Sequence, residues 1–196
     1  MPLWGATDSD ESKPKNLTTA EKKQVFANAS GWVLEAGSAL SGNDNASATP
    51  EVLVAIGGLS TSIGAADVTE VEWITTAADK SEGFTLSVRV RYNEAVTVTG
   101  SPTIAVTNGN QGSGSGRGPH TLVYASGTGT NELVFSLAIA AANAATNAND
   151  VLSIGAQNIA KPGGATMKDT GDGTTDSAVA ISGGQGTAAG TITVVA

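Results

Sequence analysis

The chain has 196 residues, a formal net charge of −8 and a pI near 4.5. That balance argues against nucleic-acid binding, which needs Lys and Arg to neutralise phosphates, and against attraction to anionic membrane surfaces. With no cysteine, disulfides, thiolate chemistry and Cys-ligated zinc are excluded, and the fold must rest on packing and strand pairing.

Met1 to Lys15 carries Asp8, Asp10 and Glu11 and lacks the apolar core of a signal peptide. No stretch approaches the roughly 20 apolar residues of a membrane helix. Both features fit a protein made in a reducing cytoplasm.

Thr18-Thr19-Ala20-Glu21 matches a capping box and predicts a short helix, with Val25 and Phe26 as its apolar face and Asn28 to Gly31 as its end. Such a helix is too short to stand alone and must dock. Trp32-Val33-Leu34 and Val52 to Ile56 read as strands, with Ser41 to Asn45 as loop between them.

From Val68 onward the period is two. Leu86, Val88, Val90 and Tyr92 share one face, which is expected to meet the core with Trp73. Thr85, Ser87, Arg89 and Arg91 share the other, which is expected to be solvated, with Arg89 and Arg91 pairing across strands to Glu70 and Glu72. Further strands are expected at 103–107, 121–125, 132–139, 151–154 and 177–181.

Two turn-rich gaps, 109–118 and 161–176, read as loops. Gly183 to Gly186 reads as a flexible link to a β-branched run, Thr191 to Val195. That run is expected to be paired, either on its own sandwich or, as the favoured arrangement, on a neighbouring subunit by strand addition.

The result is a mainly β chain, an antiparallel Ig-like β-sandwich with an N-terminal arm that contains one short helix. The expected divisions are 1–66 for the arm or docking region, 67–182 for the sandwich, and 183–196 for the link and last strand. The arm holds too few apolar residues for a core of its own.

Chemistry is sparse. The single histidine, His120, would have to serve any Ser-His-Asp triad, and no Gly-x-Ser-x-Gly elbow occurs. His120 reads instead as a polar residue on an edge strand. Gly184-Gln185-Gly186-Thr187-Ala188-Ala189 matches the dinucleotide fingerprint by letters, without the strand and long helix that the motif needs.

No catalytic or cofactor-binding residues are assigned, and no enzyme is expected. Asp169, Asp172 and Asp176 are the metal candidates, since carboxylates spaced around glycines can wrap a hard cation such as calcium. The same residues are default turn formers, and no closing Glu follows them. Asn43-Asp44-Asn45 is a weaker version of the same pattern.

Two stretches carry a resemblance. Leu3-Trp4-Gly5-Ala6-Thr7, then Ser12 to Thr18, Gly31-Trp32-Val33 and Glu51 to Ile56 resemble the amino-terminal portion of virion structural proteins from marine tailed phages, especially cyanophages. Val88 to Thr103 and Tyr124 to Phe135 are similar to a bacterial Ig-like repeat of large cyanobacterial surface proteins. Its pattern runs F-x-E-x-V-x-V-T-G-x-P and later Y-x-S-G-x-G-T…L-x-F. Here Tyr92 and Asn93 stand where that repeat has Phe and Ser, and a Gly/Ser loop is inserted at Gly109–Gly118.

The resemblance implies a sandwich and no reaction. It points to a capsid decoration (cement) protein on the virion surface, synthesised in the host cytoplasm, with the major capsid protein and further copies of itself as partners. The alternative is an Ig-like adhesion module of a tail, fibre or cell surface that binds protein or a host-surface glycan through its end loops.

Overall fold

The computed structural model describes residues 14, 16–28, 31–55, 65–109, 118–141 and 145–196. Helix α1 (Thr19–Lys22) precedes three strands, β1 (Val25–Asn28), β2 (Gly31–Leu34) and β3 (Glu51–Ala55). The body follows with β4 (Val68–Trp73), β5 (Ala78–Asp79), the long β6 (Gly83–Thr99), β7 (Thr103–Asn108), β8 (His120–Ser126), β9 (Thr130–Ala140) and β10 (Val151–Ser153). Last come β11 (Gln157–Asn158), β12 (Thr166–Asp169), β13 (Ala180–Ile181), helix α2 (Gly183–Ala189) and β14 (Thr191–Val195).

The fold is mainly β and sandwich-like. One sheet of nine strands runs β12-β6-β9-β8-β7-β10-β14-β5, with β4 also paired to β6. Every pairing between these strands is antiparallel except that of β14 with β5. The sheet curls until its far end returns over β4. There the Trp73 indole donates to the Gly190 carbonyl at 3.2 Å, and the Gln185 amide donates to the Val68 carbonyl at 2.7 Å.

Strand β6 makes this possible. Its register with β9 breaks between Arg91 and Val96, a bulge that bends the strand. β4 pairs with it as far as Tyr92, and β12 takes over from Val96.

Period-two alternation places Leu86, Val88, Val90 and Tyr92 in the core, each no more than 1% exposed. Val71, Ile104, Leu122, Leu133, Phe135, Leu152 and Met167 join them in one cluster, and Trp73 packs against it. Burial of each such aliphatic or aromatic side chain contributes about 1.5–3 kcal/mol.

The second sheet is small. β1, β2 and β3 pair in that order, around a cluster of Val25, Trp32 and Leu34 with Leu17 and Leu40 at its edge. β11 and β13 form a third, two-stranded sheet.

Several expectations are corrected. The capping box at Thr18 and Glu21 forms, yet the helix ends at Lys22 and Val25-Phe26 start β1 instead of continuing it. A helix this short gains little by propagating, whereas pairing Val25 with Leu34 and Phe26 with Val33 buries apolar surface. The gap at 161–176 contains β12, anchored by Met167, which has no exposed surface. The expected strand at 177–181 shrinks to Ala180–Ile181.

Gly183 to Gly186 is not a flexible link. It begins α2, with Ser182 and Gln185 making a second capping box. Strand β14 lies between β10 and β5 of its own sheet with Val194 fully buried, so pairing with another subunit is overturned. Expectations for residues 1–13, for Ile56 and for most of the Gly109–Gly118 loop lie outside the described residues. Ser41 to Asn45 does form turns, with Asn43 and Asn45 side chains accepting from the backbone two residues on.

Candidate functional site

The outer face of β4, β6 and β9 carries the densest group of charges among the described residues. Register sets it: Glu72 lies opposite Arg89, and Arg91 lies between Glu70 on β4 and Glu132 on β9. The expected cross-strand pairs form, Arg89 with Glu72 at 2.9 Å and Arg91 with Glu70 at 2.9 Å. The face is not solvated as expected, because the small sheet covers it. Arg91 is only 8% exposed.

The covering group is Glu35, just past the end of β2. Its backbone N–H donates to the Gln24 carbonyl at 2.8 Å, which extends the β1–β2 pairing by one step. The carboxylate then straddles both arginines, with one oxygen 2.6 Å from Arg89 and the other 2.6 Å from Arg91. Arg91 also donates to the Lys23 carbonyl at 2.7 Å and to Glu132 at 2.7 Å, and Lys23 reaches Glu70 at 3.1 Å.

Among the described residues, four carboxylates (Glu35, Glu70, Glu72, Glu132) therefore face three cations (Lys23, Arg89, Arg91). The surplus of one negative charge sits in a half-buried place. Burial pushes the Glu35 carboxyl up to about 7; Arg91 opposes this, Glu132 adds to it, and Arg89 opposes it. For Arg91, burial works against the charge, but Glu132, Glu35 and Glu72 outweigh it and hold the guanidinium well above its ordinary value.

A cleft of about 770 Å³ opens beside this cluster, lined by Gln24, Glu35, Arg89, Arg91, Thr130 and Glu132 among others. Its charged walls are already paired with one another, so an ionic ligand would have to displace existing bonds. Glu35 and Glu132 were not singled out from sequence. Glu132 could have been found by pairing β6 with β9. Glu35 lies more than fifty residues from Arg89, and no local signal links them.

The metal candidates are engaged elsewhere. Asp169 is fully buried and accepts from the Gly171 N–H at 2.5 Å. Asp172 accepts from the Thr174 and Thr175 N–H groups at 2.8 Å each and from the Thr175 hydroxyl. These bonds, the Thr175 hydroxyl first, hold its carboxyl down at about 2. Asp176 pairs with Lys168 at 2.8 Å. Among the described residues, no three His, Cys, Asp or Glu side chains are placed to share a cation.

His120 is not on an edge. It opens β8, between β7 and β9, and is 5% exposed. Its Nε2 lies 3.2 Å from the Thr146 hydroxyl, with Asp150 close by. Burial lowers the His120 pKa, and the Asp150 charge opposes that. Asp150 accepts from the Asn108 amide at 2.5 Å and from the Asn147 N–H at 2.8 Å. Thr, His and Asp are thus brought together, but Thr146 and Asp150 have no exposed surface. The group acts as a polar staple between β7, β8 and the 145–150 loop.

The glycines of the dinucleotide-like letters lie inside α2, and a side chain at Gly186 would strike the Ile154 carbonyl. Close packing explains that glycine. The Tyr124-to-Thr130 stretch forms the β8–β9 turn: Gly127 has φ +107°, and a Cβ there would meet the Glu132 carbonyl. Thr128 receives the Val98 N–H at 2.9 Å, and its own N–H donates to the Tyr124 hydroxyl at 2.7 Å.

Fold and site together define a mainly β body with a second, ionically attached sheet. Comparison with family models, with curated proteins and with solved structures finds no match to this chain.

Proposed function

We propose that this chain is a non-enzymatic structural protein of a tailed-phage virion, acting as a capsid decoration protein that stabilises the shell through the major capsid protein and neighbouring copies. The observation that carries the structural reading is the Arg89–Arg91 cluster. Its seven charged side chains are spent on each other, and they fasten one sheet to another instead of leaving a reactive group exposed. Charge used this way joins one part of the chain to another, which supports a structural role. The virion setting itself rests on the resemblance of the Leu3–Ile56 stretches.

Quantitative mass spectrometry of purified particles, combined with antibody labelling in electron microscopy, tests this. A copy number comparable to the major capsid protein, with label over the head, is the expected result. A few copies with label at the tail tip would move the chain to the adhesion reading, with its end loops as the contact. Absence from the particle would remove the proposal.

A further inference from the structure

Asn108 and Gly109 form the one Asn-Gly step in the chain. Each residue has a structural reason to be there. Asn108 ends β7 with 1% of its surface exposed, and its side-chain amide donates to the fully buried Asp150 carboxylate at 2.5 Å and to the Ala145 carbonyl at 3.4 Å. A buried carboxylate needs such a donor. Gly109 passes so close to β10 that its N–H donates to the Val151 carbonyl at 2.7 Å, and a Cβ there would come within 3.2 Å of the same oxygen.

The same pair is chemically labile, because asparagine is thermolabile and glycine has no side chain to hinder the approach. The backbone nitrogen of the glycine can attack the Asn Cγ. The new C–N bond closes a cyclic imide, and the bond from Cγ to the side-chain nitrogen breaks. That nitrogen leaves as ammonia, taking the proton that the glycine N–H gives up. Water then opens the imide at either carbonyl and leaves aspartate or isoaspartate, with no oxidant or reductant involved.

We propose that Asn108 is a deamidation site that the fold holds closed, so that its modification records the time this part of the chain has spent open. The native structure withholds both reactants. The Gly109 nitrogen must lose a proton that it donates to Val151, and the Asn108 amide must leave Asp150. The ends of β7 and β10 have to part first, so the native rate is the open-chain rate multiplied by the open fraction.

The product does not fit where the amide did. It sets a second carboxylate against Asp150 in a buried place, where two like charges cannot both ionise without cost. Isoaspartate also lengthens the backbone at the point where Asn108 pairs with Leu152. A chain modified while open therefore returns to a weaker native state. The proposal concerns the body of the molecule and stands apart from the virion reading.

The test incubates the full chain at mildly alkaline pH, in buffer and in denaturing guanidinium chloride, and maps the peptides by tandem mass spectrometry. Conversion at Asn108 is expected in denaturant, and at a rate lower by roughly a hundredfold or more in buffer, where only the open fraction reacts. Equal rates would show that the fold does not protect the step, and an unmodified Asn108 in denaturant would show that the step is not reactive. Either result overturns the proposal. Asn108→Asp should lower the unfolding midpoint, and adding Asp150→Asn should recover much of it, because donor and acceptor then trade places across the same contact. A single variant as stable as the wild type would refute the stated consequence, and so would a double variant no more stable than the single one.

Discussion

The two sheets use the same backbone geometry and are held by different forces. The nine-stranded sheet closes on a continuous apolar cluster, from Leu86 and Val88 on β6 to Val194 on β14. The three-stranded sheet buries fewer apolar side chains, Val25, Trp32, Val33 and Leu34, and adds Glu35 and Lys23 against the arginines of β6. Apolar burial is non-directional and does not depend on side-chain charge, whereas a half-buried ion cluster depends on pH and is screened by salt. The body should therefore behave as the stable unit and the small sheet as a part that can undock from it.

The largest effect is expected from Val88→Asp. Val88 has no exposed surface, and a carboxylate there has no partner, so the body should lose cooperative unfolding altogether. Circular dichroism through a urea titration reads this; a sharp transition near the wild-type midpoint would mean the core is not where this face places it.

Arg91→Ala comes next. It leaves Glu35, Glu70 and Glu132 without their shared cation, a loss of about 3 kcal/mol for breaking a buried pair. The loss should fall on the small sheet. Exchange protection at residues 25–35 should vanish while residues 84–92 and 131–139 keep theirs. Equal loss in both regions would show that the sheets unfold as one.

The pH dependences of the two regions should have opposite signs. Glu35 has a folded pKa raised to about 7 from an ordinary 4.5, so between those values the folded state binds more protons than the unfolded one. Its contribution is full below 4.5 and is lost as pH rises through about 7, and attachment of the small sheet should weaken over that range. His120 is shifted the other way: its folded pKa is lowered, and its contribution to the body is lost as pH falls below its ordinary 6.5. Glu35→Gln should abolish the first slope and His120→Gln the second. Exchange rates by region, corrected for intrinsic pH dependence, separate them.

How far this was legible in the sequence follows the same division. Strand β6 was plain from Thr85 to Tyr92, where period-two alternation and β-branched residues agree, and cross-strand pairing of Arg89 and Arg91 with Glu70 and Glu72 followed from it; the continuation past the bulge to Thr99, where alternation breaks, was not read. Glu35 was not, because it belongs to another sheet and only the tertiary arrangement brings it to the arginines. β12 was hidden by composition: Lys161 to Asp176 has the Gly, Asp and Thr content of turns, and Met167 is one apolar residue with no alternating partner. α2 was hidden by Gly183, Gly184 and Gly186, all poor helix formers. Ser182 and Gln185, three residues apart, carried the same capping signal that was read correctly at Thr18 and Glu21.

The smallest effect concerns the loop between β12 and Asp176, where turn and calcium readings compete. In the structure Asp172 spends its oxygens on Thr174 and Thr175, and Asp176 spends one on Lys168. A cation would need those oxygens released, and the three carboxyls face three different sets of partners. Chelator should therefore leave the melting temperature unchanged, and added calcium should not raise it. Asp172→Ala should lower it slightly by loosening the turn, with or without calcium. The low pKa of Asp172 gives a second handle: its contribution is present above the ordinary 3.8 and lost as pH falls through about 2, so the variant and the wild type should converge in strong acid. A melting temperature that drops in chelator and recovers with calcium would show that the carboxylates prefer the ion to the backbone, since a ligand bound only by the folded state stabilises in proportion to its concentration over its dissociation constant.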